Sequence, residues 1–262
     1  MILLFLFILG AAMGSFANAV VWRLHAHRDF VTERSECEHC HHVLGATDLV
    51  PIFSWLWLRG RCRYCHTKLS VQHFLVELLS GLLFAASYLW WPVALLTGVQ
   101  WLSFGFWLIF VVGIVMLFLY DLHWQLLPDK IVFTLIWLAV AYTLICQVWL
   151  GKEGIAAIAD AGGGIAVFSG FFGFLYLVSK GRWLGLGDVK LGVFMGIVLG
   201  SQLSLIALLG SYYIAALIIV PLMVAGKVHR RSKVAFGPFL LMSFVLSFFF
   251  GQHIVHFVTT RL

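Results

Sequence analysis

The sequence predicts an all-α polytopic membrane protein with about eight transmembrane helices and one small loop domain outside the bilayer. Hydrophobic residues make up 62% of the 262 residues, charged residues only 11%, and the mean hydropathy is +1.01. Soluble domains contain about 25% charged residues, so this composition excludes an ordinary soluble protein. Apolar segments follow one another along the chain, and most approach the roughly 20 residues that a spanning helix needs.

The first apolar segment covers residues 2–22 and is followed by Arg23 and Arg28. It is long for the apolar core of a signal peptide, and no basic region precedes it. We therefore interpret residues 1–22 as a retained first transmembrane anchor, with a cleaved signal peptide as the alternative.

Residues 23–72 form the only long polar segment and contain four of the five cysteines, so we expect a loop domain there. Residues 73–262 form the second, larger membrane domain. One of its apolar segments, 188–200, is short for a straight span, so we expect tilt or unwinding near it, as is common beside a functional site. The apolar segments of this domain cover residues 74–91, 98–120, 130–150, 156–178, 188–200, 203–225 and 236–256.

The positions of Lys and Arg predict the orientation of the spans. If residues 23–72 are cytoplasmic, 15 of the 17 Lys and Arg residues share that side, and only Lys152 and Arg261 lie opposite. The positive-inside rule therefore predicts a cytoplasmic loop domain, with both termini outside the cytoplasm. The net charge of +6 then reflects orientation and contact with anionic membrane lipids, and we expect no nucleic-acid partner.

Two acids, Asp121 and Asp188, lie at the cytoplasmic ends of different predicted spans. Placing an ionisable side chain at the edge of a bilayer costs free energy, and such a residue usually has a function. Two carboxyl groups that share one proton are the minimal apparatus of an aspartyl hydrolase. We therefore predict that Asp121 and Asp188 meet as a catalytic pair, with solvated acids at helix ends as the alternative.

The residues around Asp188 favour the approach of another polypeptide. Gly185 and Gly187 have no Cβ atom, so an extended chain can come close to them. A protease that cuts beside a membrane helix needs such an approach, because a helical peptide bond is shielded. Lys190 is predicted to contact lipid phosphates or an acidic group of the substrate, or else to be a solvated cation at a helix end.

The loop domain contains two Cys-x-x-Cys pairs, Cys37 with Cys40 and Cys62 with Cys65, separated by 21 residues. This spacing is typical of a zinc site in which each pair supplies two thiolates. Disulfides are the alternative, but the predicted cytoplasmic location is reducing and favours metal. With four protein ligands the zinc is structural and helps to fold a domain too small for a large core.

Glu77 lies in the second predicted span, four residues after His73. A buried glutamate must be paired or protonated. We predict His73, or a basic residue of the loop domain, as its partner. A supporting role in the active site is the alternative.

The order of these motifs resembles the bacterial prepilin peptidases, the leader peptidases of type IV pilus, type II secretion and competence systems. The matching pieces run through most of the chain. They are Gly14-Ser15-Phe16, Asn18, Arg23-Leu24, the four cysteines, Pro51, Ser54-Trp55, Arg59-Gly60-Arg61-Cys62, Val76-Glu77-Leu78-Leu79, Asp121 with Leu126-Leu127-Pro128-Asp129, Gly185-Leu186-Gly187-Asp188-Val189-Lys190, and Phe236-Gly237-Pro238-Phe239.

The resemblance implies a multi-pass enzyme of the bacterial cytoplasmic (inner) membrane, an aspartic endopeptidase with Asp121 and Asp188 as its catalytic pair. It implies cleavage of the basic leader of a prepilin or pseudopilin after glycine, at the cytoplasmic face. It also implies a second activity, N-methylation of the new amino terminus with S-adenosylmethionine. No other feature of the sequence points to a methyl-donor site.

Two other classes of function remain open at this point. A proton-coupled transporter also places acids in membrane segments, but usually near the midplane and within inverted repeats. A zinc-bearing membrane scaffold would use the cysteines and leave both acids without a task.

Overall fold

The computed structural model describes residues 1–29, 35–37, 39–150, 154–182, 184–227 and 234–260. Lys152 and Arg261, the two cations predicted opposite the others, lie outside these ranges. Within them the chain is helical, and its β contacts are two isolated bridges, Glu36 with Val43 and Arg61 with Lys68.

Seven of the helices in the described ranges are long and apolar enough to cross a membrane, which confirms the prediction of an all-α, multi-pass membrane protein. In these ranges the five-residue α2 and a three-residue 3-10 helix, Ala46–Asp48, are not candidate spans, and α5 continues as a π-helical segment, Thr143–Trp149. The helices are α1 (Ile2–His25), α2 (Phe53–Trp57), α3 (Val71–Leu89), α4 (Gly98–Trp124), α5 (Asp129–Tyr142), α6 (Ile155–Ser179), α7 (Leu186–Val224) and α8 (Gly237–Thr259).

Helix α7 contains two of the predicted spans, because the chain folds back at Gly200. A straight helix of 39 residues would be about 58 Å long, roughly twice the thickness of the hydrocarbon core. Gly200 has φ 70° and ψ −175°, a conformation that glycine adopts far more readily than other residues. The two arms of α7, 186–199 and 201–224, correspond to the predicted spans 188–200 and 203–225.

Contacts with α8 show that the two arms lie side by side. The Ser243 hydroxyl donates a hydrogen bond to the Ala207 carbonyl on the second arm, at 2.7 Å. The next residue, Phe244, packs against Phe194 on the first arm, with 5.3 Å between ring centroids. Two adjacent residues of α8 therefore contact Phe194 and Ala207, which are 13 residues apart on α7. In a straight helix those two residues would be separated by about 20 Å. With the two arms counted separately, the described ranges contain eight apolar helical segments, the number predicted for the spans.

Asp160 of α6 fixes the turn at Gly200. Its Oδ1 accepts hydrogen bonds from the Ser201 backbone amide at 2.9 Å and from the Ser201 hydroxyl at 2.5 Å. Helices α6 and α7 approach closely, because a Cβ atom on Gly164 or Gly196 would overlap the backbone of the facing helix. The fold-back is therefore held by side-chain hydrogen bonds as well as by helix packing.

The chain divides into two compact units, Met1–Trp91 with Leu108–Leu119, and Pro92–Trp107 with Tyr120–Leu262. In the first unit α1 packs along α3, and a Cβ atom on Gly10 would lie only 2.6 Å from the Ser80 carbonyl oxygen. The second unit contains α5 to α8 and both ends of α4. Both predicted domain boundaries, after residues 22 and 72, fall inside the first unit and stay predictions.

Candidate active site

Asp121 lies in the last turn of α4, and its side chain is buried. The backbone amide of Gly237, the first residue of α8, donates a hydrogen bond to its carboxylate. Amides in the first turn of a helix have no partner within the helix, and the dipole there favours a negative charge. A Cβ atom at position 237 would overlap Asp121 Oδ2, so the backbone can reach the carboxylate only because residue 237 is glycine.

Asp188 lies in the first turn of α7 and is half-buried. A carboxylate suits this position, because the dipole is positive at a helix start. The carboxyl groups of Asp121 and Asp188 are close enough for their charges to interact. The structure thus places within electrostatic range of each other two acids that lie on different helices.

Leu127, in the connection between α4 and α5, packs beside both glycine motifs. A Cβ atom on Gly187 would lie 3.1 Å from Leu127 Cβ, and one on Gly237 would lie 3.7 Å from Leu127 Cδ2. Gly185 is more open, since the nearest atom to its missing Cβ is the Gly187 nitrogen at 3.8 Å. Leu127 therefore covers one side of the site, whereas the backbone of Gly185 is accessible.

Lys190 pairs with Asp129 across the first turns of α7 and α5. Its Nζ lies 2.8 Å and 3.0 Å from the two carboxylate oxygens, and 5.2 Å from the centroid of the Phe133 ring. Asp129 begins α5 directly after Pro128, where an acid suits the positive end of the helix dipole. The predicted contacts of Lys190 with substrate or lipid stay predictions.

Tyr212 is a residue at the site that the sequence did not indicate. Its phenol is close enough to Asp188 for an electrostatic interaction, and its ring lies 5.2 Å from that of Phe236, the residue before Gly237. Asp188 and Tyr212 lie 12 residues before and after Gly200, so the fold-back places them at the same depth. The equal spacing of Asp188 and Tyr212 from Gly200 was the only feature of the sequence that could have indicated Tyr212.

The four loop cysteines form a second cluster, within the first unit. Their Sγ atoms all lie within 4.8 Å of one another, and those of Cys37 and Cys65 are 3.8 Å apart. A tetrahedron of zinc–sulfur bonds of 2.3 Å has edges of about 3.8 Å, whereas a disulfide bond is about 2.05 Å. The thiols are free, so the cluster can hold a metal ion and the disulfide alternative is not observed.

The two cysteine pairs sit in equivalent turns. The Cys37 amide donates to the His42 carbonyl and the Cys62 amide to the Thr67 carbonyl, at 3.0 Å and 2.9 Å. Thr67 also accepts a hydrogen bond from Cys65 Sγ at 3.4 Å, so the second turn is tied to its own cysteine pair by both backbone and side-chain contacts.

Glu77 is buried in α3 and accepts a hydrogen bond at 2.7 Å from the Ile52 backbone amide. In the described part of the chain this amide, and not the predicted His73, is its hydrogen-bond partner. Ile52 has φ 66° and ψ −54°, and the Phe53 amide lies 2.6 Å from the Pro51 carbonyl, which defines a γ-turn. Positive φ is strained for a β-branched residue, so Glu77 stabilises a turn that the local sequence disfavours.

Two family models match the chain. The model of the bacterial peptidase A24 N-terminal domain matches residues 8–91, and that of the type IV leader peptidase family matches residues 108–220. The prepilin leader peptidase/N-methyltransferase of Pectobacterium carotovorum subsp. carotovorum is 34% identical over 260 residues, which cover 89% of this chain and 88% of the relative. This chain belongs to the type IV leader peptidase family.

Other leader peptidases of the same description are similarly related. That of Aeromonas hydrophila is 33% identical over 234 residues, covering 89% of this chain and 77% of the relative. That of Bacillus subtilis (strain 168) is 29% identical over 262 residues, covering 96% of each chain. No solved structure matches the chain. The N-terminal family model covers the cysteine cluster and Glu77, and the leader peptidase model covers Asp121 and Asp188.

Proposed function

We propose that this protein cleaves the leader of a type IV prepilin or pseudopilin after glycine, with Asp121 and Asp188 as a catalytic dyad. The proposal is supported by two acids within electrostatic range of each other, beside an accessible glycine backbone, in a member of a leader peptidase family. A zinc-bearing scaffold would leave the acid pair without a function, and a proton-coupled transporter usually places its acids near the bilayer midplane.

The chemistry follows from charge repulsion. Two adjacent carboxyl groups cannot both ionise cheaply, so the pair retains one proton and titrates as a unit. The ionised member removes a proton from a water molecule, whose oxygen attacks the scissile carbonyl carbon, while the protonated member gives its proton to the carbonyl oxygen. Collapse of the tetrahedral intermediate breaks the C–N bond, and the departing amine takes up a proton.

The surroundings of the dyad position each group. The Gly237 amide holds the carboxylate of Asp121 at the start of α8. Leu127 packs beside Gly187 and Gly237 on one side, and the bare backbone at Gly185 leaves room for an extended substrate. A substrate glycine before the scissile bond is compatible with this approach, since it adds no side chain.

The location of the reaction follows from the orientation of the spans. The positive-inside distribution supports a bacterial cytoplasmic-membrane protein whose loop domain and dyad face the cytoplasm. Its partners are then the prepilin substrate and the surrounding lipids, for which the basic cytoplasmic loops supply complementary charge.

The cysteine cluster is proposed to hold a structural zinc ion. Four thiolates complete a tetrahedral shell, so no position is open for water or substrate. The metal would link the two turns of the loop domain through Cys37, Cys40, Cys62 and Cys65. This link would stabilise a domain whose hydrophobic core is small.

A second activity, N-methylation of the amino terminus released by cleavage, is proposed from the printed description of the relatives. S-adenosylmethionine supplies an electrophilic methyl group: the N–C bond forms as the C–S bond breaks, and the amine loses a proton to solvent. For this step the protein has to bind the donor and keep the amine unprotonated.

Incubation of the purified protein with a candidate prepilin tests both activities by mass spectrometry. We expect a loss of mass that ends after glycine, followed by the gain of one methyl group when S-adenosylmethionine is added. An intact prepilin, under conditions in which a related leader peptidase cleaves it, would contradict the proposal and favour the scaffold or the transporter.

A further inference from the structure

The first compact unit contains a cavity of about 490 Å³ that no part of the cleavage chemistry uses. Its walls come from the C-terminal half of α1, the cysteine loop domain and the first two turns of α3, all within residues 15–77. The volume lies within the range of about 300–1,000 Å³ typical of small-molecule sites. We propose that this cavity binds the methyl donor, S-adenosylmethionine, an inference that rests on the methyl transfer proposed above.

Two buried donor groups on the cavity wall support a ligand. Asn18 Nδ2 and Trp55 Nε1 are buried, and neither has a hydrogen-bond partner in the described part of the chain. The Asn18 side chain belongs to a residue that is only 7% exposed. Buried donors in proteins nearly always have partners. A ligand with acceptor atoms, such as the ring nitrogens of adenine or ribose hydroxyls, would satisfy both.

The charges on the wall match those of the donor, which combines a carboxylate with a cationic sulfonium. Glu77 lines the cavity, and the Ile52 amide fixes its carboxyl group, so an acidic side chain is held where a sulfonium could be stabilised. Arg23 also lines the cavity, and its Nη2 donates a hydrogen bond to Ser35 Oγ at 3.4 Å. Its planar group suits a carboxylate.

Aromatic rings supply a surface for a purine. Trp55 stacks on Phe74 with ring centroids 5.0 Å apart, which fixes the orientation of the indole. Trp22, from α1, also lines the cavity and is half exposed. Flat aromatic faces beside polar anchors are typical of small-molecule sites.

Backbone strain at the edge of the cavity is consistent with a binding site. The γ-turn at Ile52 immediately precedes α2, which carries Trp55, and it persists because Glu77 accepts the Ile52 amide. Strained conformations of this kind cluster at ligand sites and are held by surrounding contacts. Cys37 and Cys62 also lie on the wall, so a metal in the cysteine cluster would fix this side of the cavity.

Binding can be measured without turnover by calorimetry, with the full-length protein in detergent and S-adenosylhomocysteine, the product of methyl donation, as the probe. Trp55→Phe keeps the ring on Phe74 and removes only the buried N–H, so we expect at least fivefold weaker binding. Asn18→Leu also fills part of the cavity, and we expect at least tenfold weaker binding. Trp57→Phe is the matched control, because Trp57 lies on the same helix, is 87% exposed and does not line the cavity.

Leader cleavage by the same preparations reports whether each variant is folded. Parental affinity in both folded variants, Trp55→Phe and Asn18→Leu, would overturn the cavity assignment and leave the proposed methyl transfer intact. A parent protein that neither binds the probe nor methylates a cleaved prepilin would overturn both proposals. Equal weakening by Trp57→Phe would also contradict the assignment, because that change lies outside the cavity.

Discussion

The Gly237 backbone amide donates a hydrogen bond to the Asp121 carboxylate, and the space between them admits no Cβ atom. This contact joins the start of α8 to the end of α4. Pro238 can follow at once, because the second residue of a helix needs no amide hydrogen. The Phe-Gly-Pro motif therefore acts on the aspartate through its backbone.

Replacement of Gly237 by alanine should impair cleavage. The new Cβ would displace Asp121 or the start of α8, and a displacement of about 1 Å at a reacting group costs on the order of 100-fold in rate. We expect Gly237→Ala to lower kcat at least 100-fold in a prepilin cleavage assay. Gly170→Ala is the matched control, since a Cβ at that α6 position meets no atom within 4 Å; equal rates in the two variants would rule out the positioning role.

Asp121→Asn and Asp188→Asn should each abolish detectable cleavage. Either change leaves one carboxyl group, which cannot act as acid and base in the same step, and general acid–base catalysis contributes about 100- to 10,000-fold. Asp129→Asn provides a comparison, because Asp129 is paired with Lys190, and we expect less than a tenfold loss of rate from it. Substantial activity in either dyad variant removes that residue from the catalytic pair.

The apolar spans could be predicted because hydrophobicity is a local property of the sequence, and the proximity of Asp121 and Asp188 could be predicted from the ends of the spans on which they lie. The cysteine cluster could be predicted because ligand spacing is local too. The position of Tyr212 at the site could not be predicted, because its approach to Asp188 depends on how sharply the chain reverses at Gly200.

In the loop domain, too, contacts between segments remote in sequence could not be predicted. Glu77 was predicted to be buried and paired, but its partner is a backbone amide exposed by the turn at Ile52. Nothing in a Pro-Ile-Phe sequence favours positive φ at isoleucine, so the turn is imposed by tertiary contacts. The cavity beside Asn18 and Trp55 likewise arises between segments remote in sequence.

Loss of a cluster cysteine should remove the metal. We expect about one zinc ion per chain in the purified parent protein and almost none in Cys37→Ser or Cys62→Ser, because a serine hydroxyl is a poor substitute for a thiolate. Elemental analysis of protein purified without added chelator measures this directly. Cys146→Ser should retain the metal, since Cys146 lies in the π-helical segment after α5, outside the cluster; zinc retained by all three variants would exclude the cysteine cluster as its site.

The fold-back in α7 should not tolerate a side chain at Gly200. Alanine there would have to adopt φ near 70° and would overlap the Asp160 carboxylate. We expect Gly200→Ala to destabilise the protein by about 2 kcal/mol or more, seen as a lower Tm in detergent. Gly162→Ala, at an α6 position with no atom within 4 Å, should leave Tm nearly unchanged, and similar Tm values for the two variants would contradict the observed turn.

Substitutions of Glu77 should separate the loss of a hydrogen-bond acceptor from the loss of a charge. Glu77→Ala leaves the buried Ile52 amide without a partner, at a cost of about 1–3 kcal/mol. Glu77→Gln keeps an acceptor and should lower Tm less. Glu36→Ala breaks an ion pair with Arg28 that is open to solvent, so its effect on Tm should be the smallest. If Glu77→Ala lowers Tm no more than Glu36→Ala, the strained turn does not depend on Glu77, because an unsatisfied buried amide cannot cost as little as a screened surface pair.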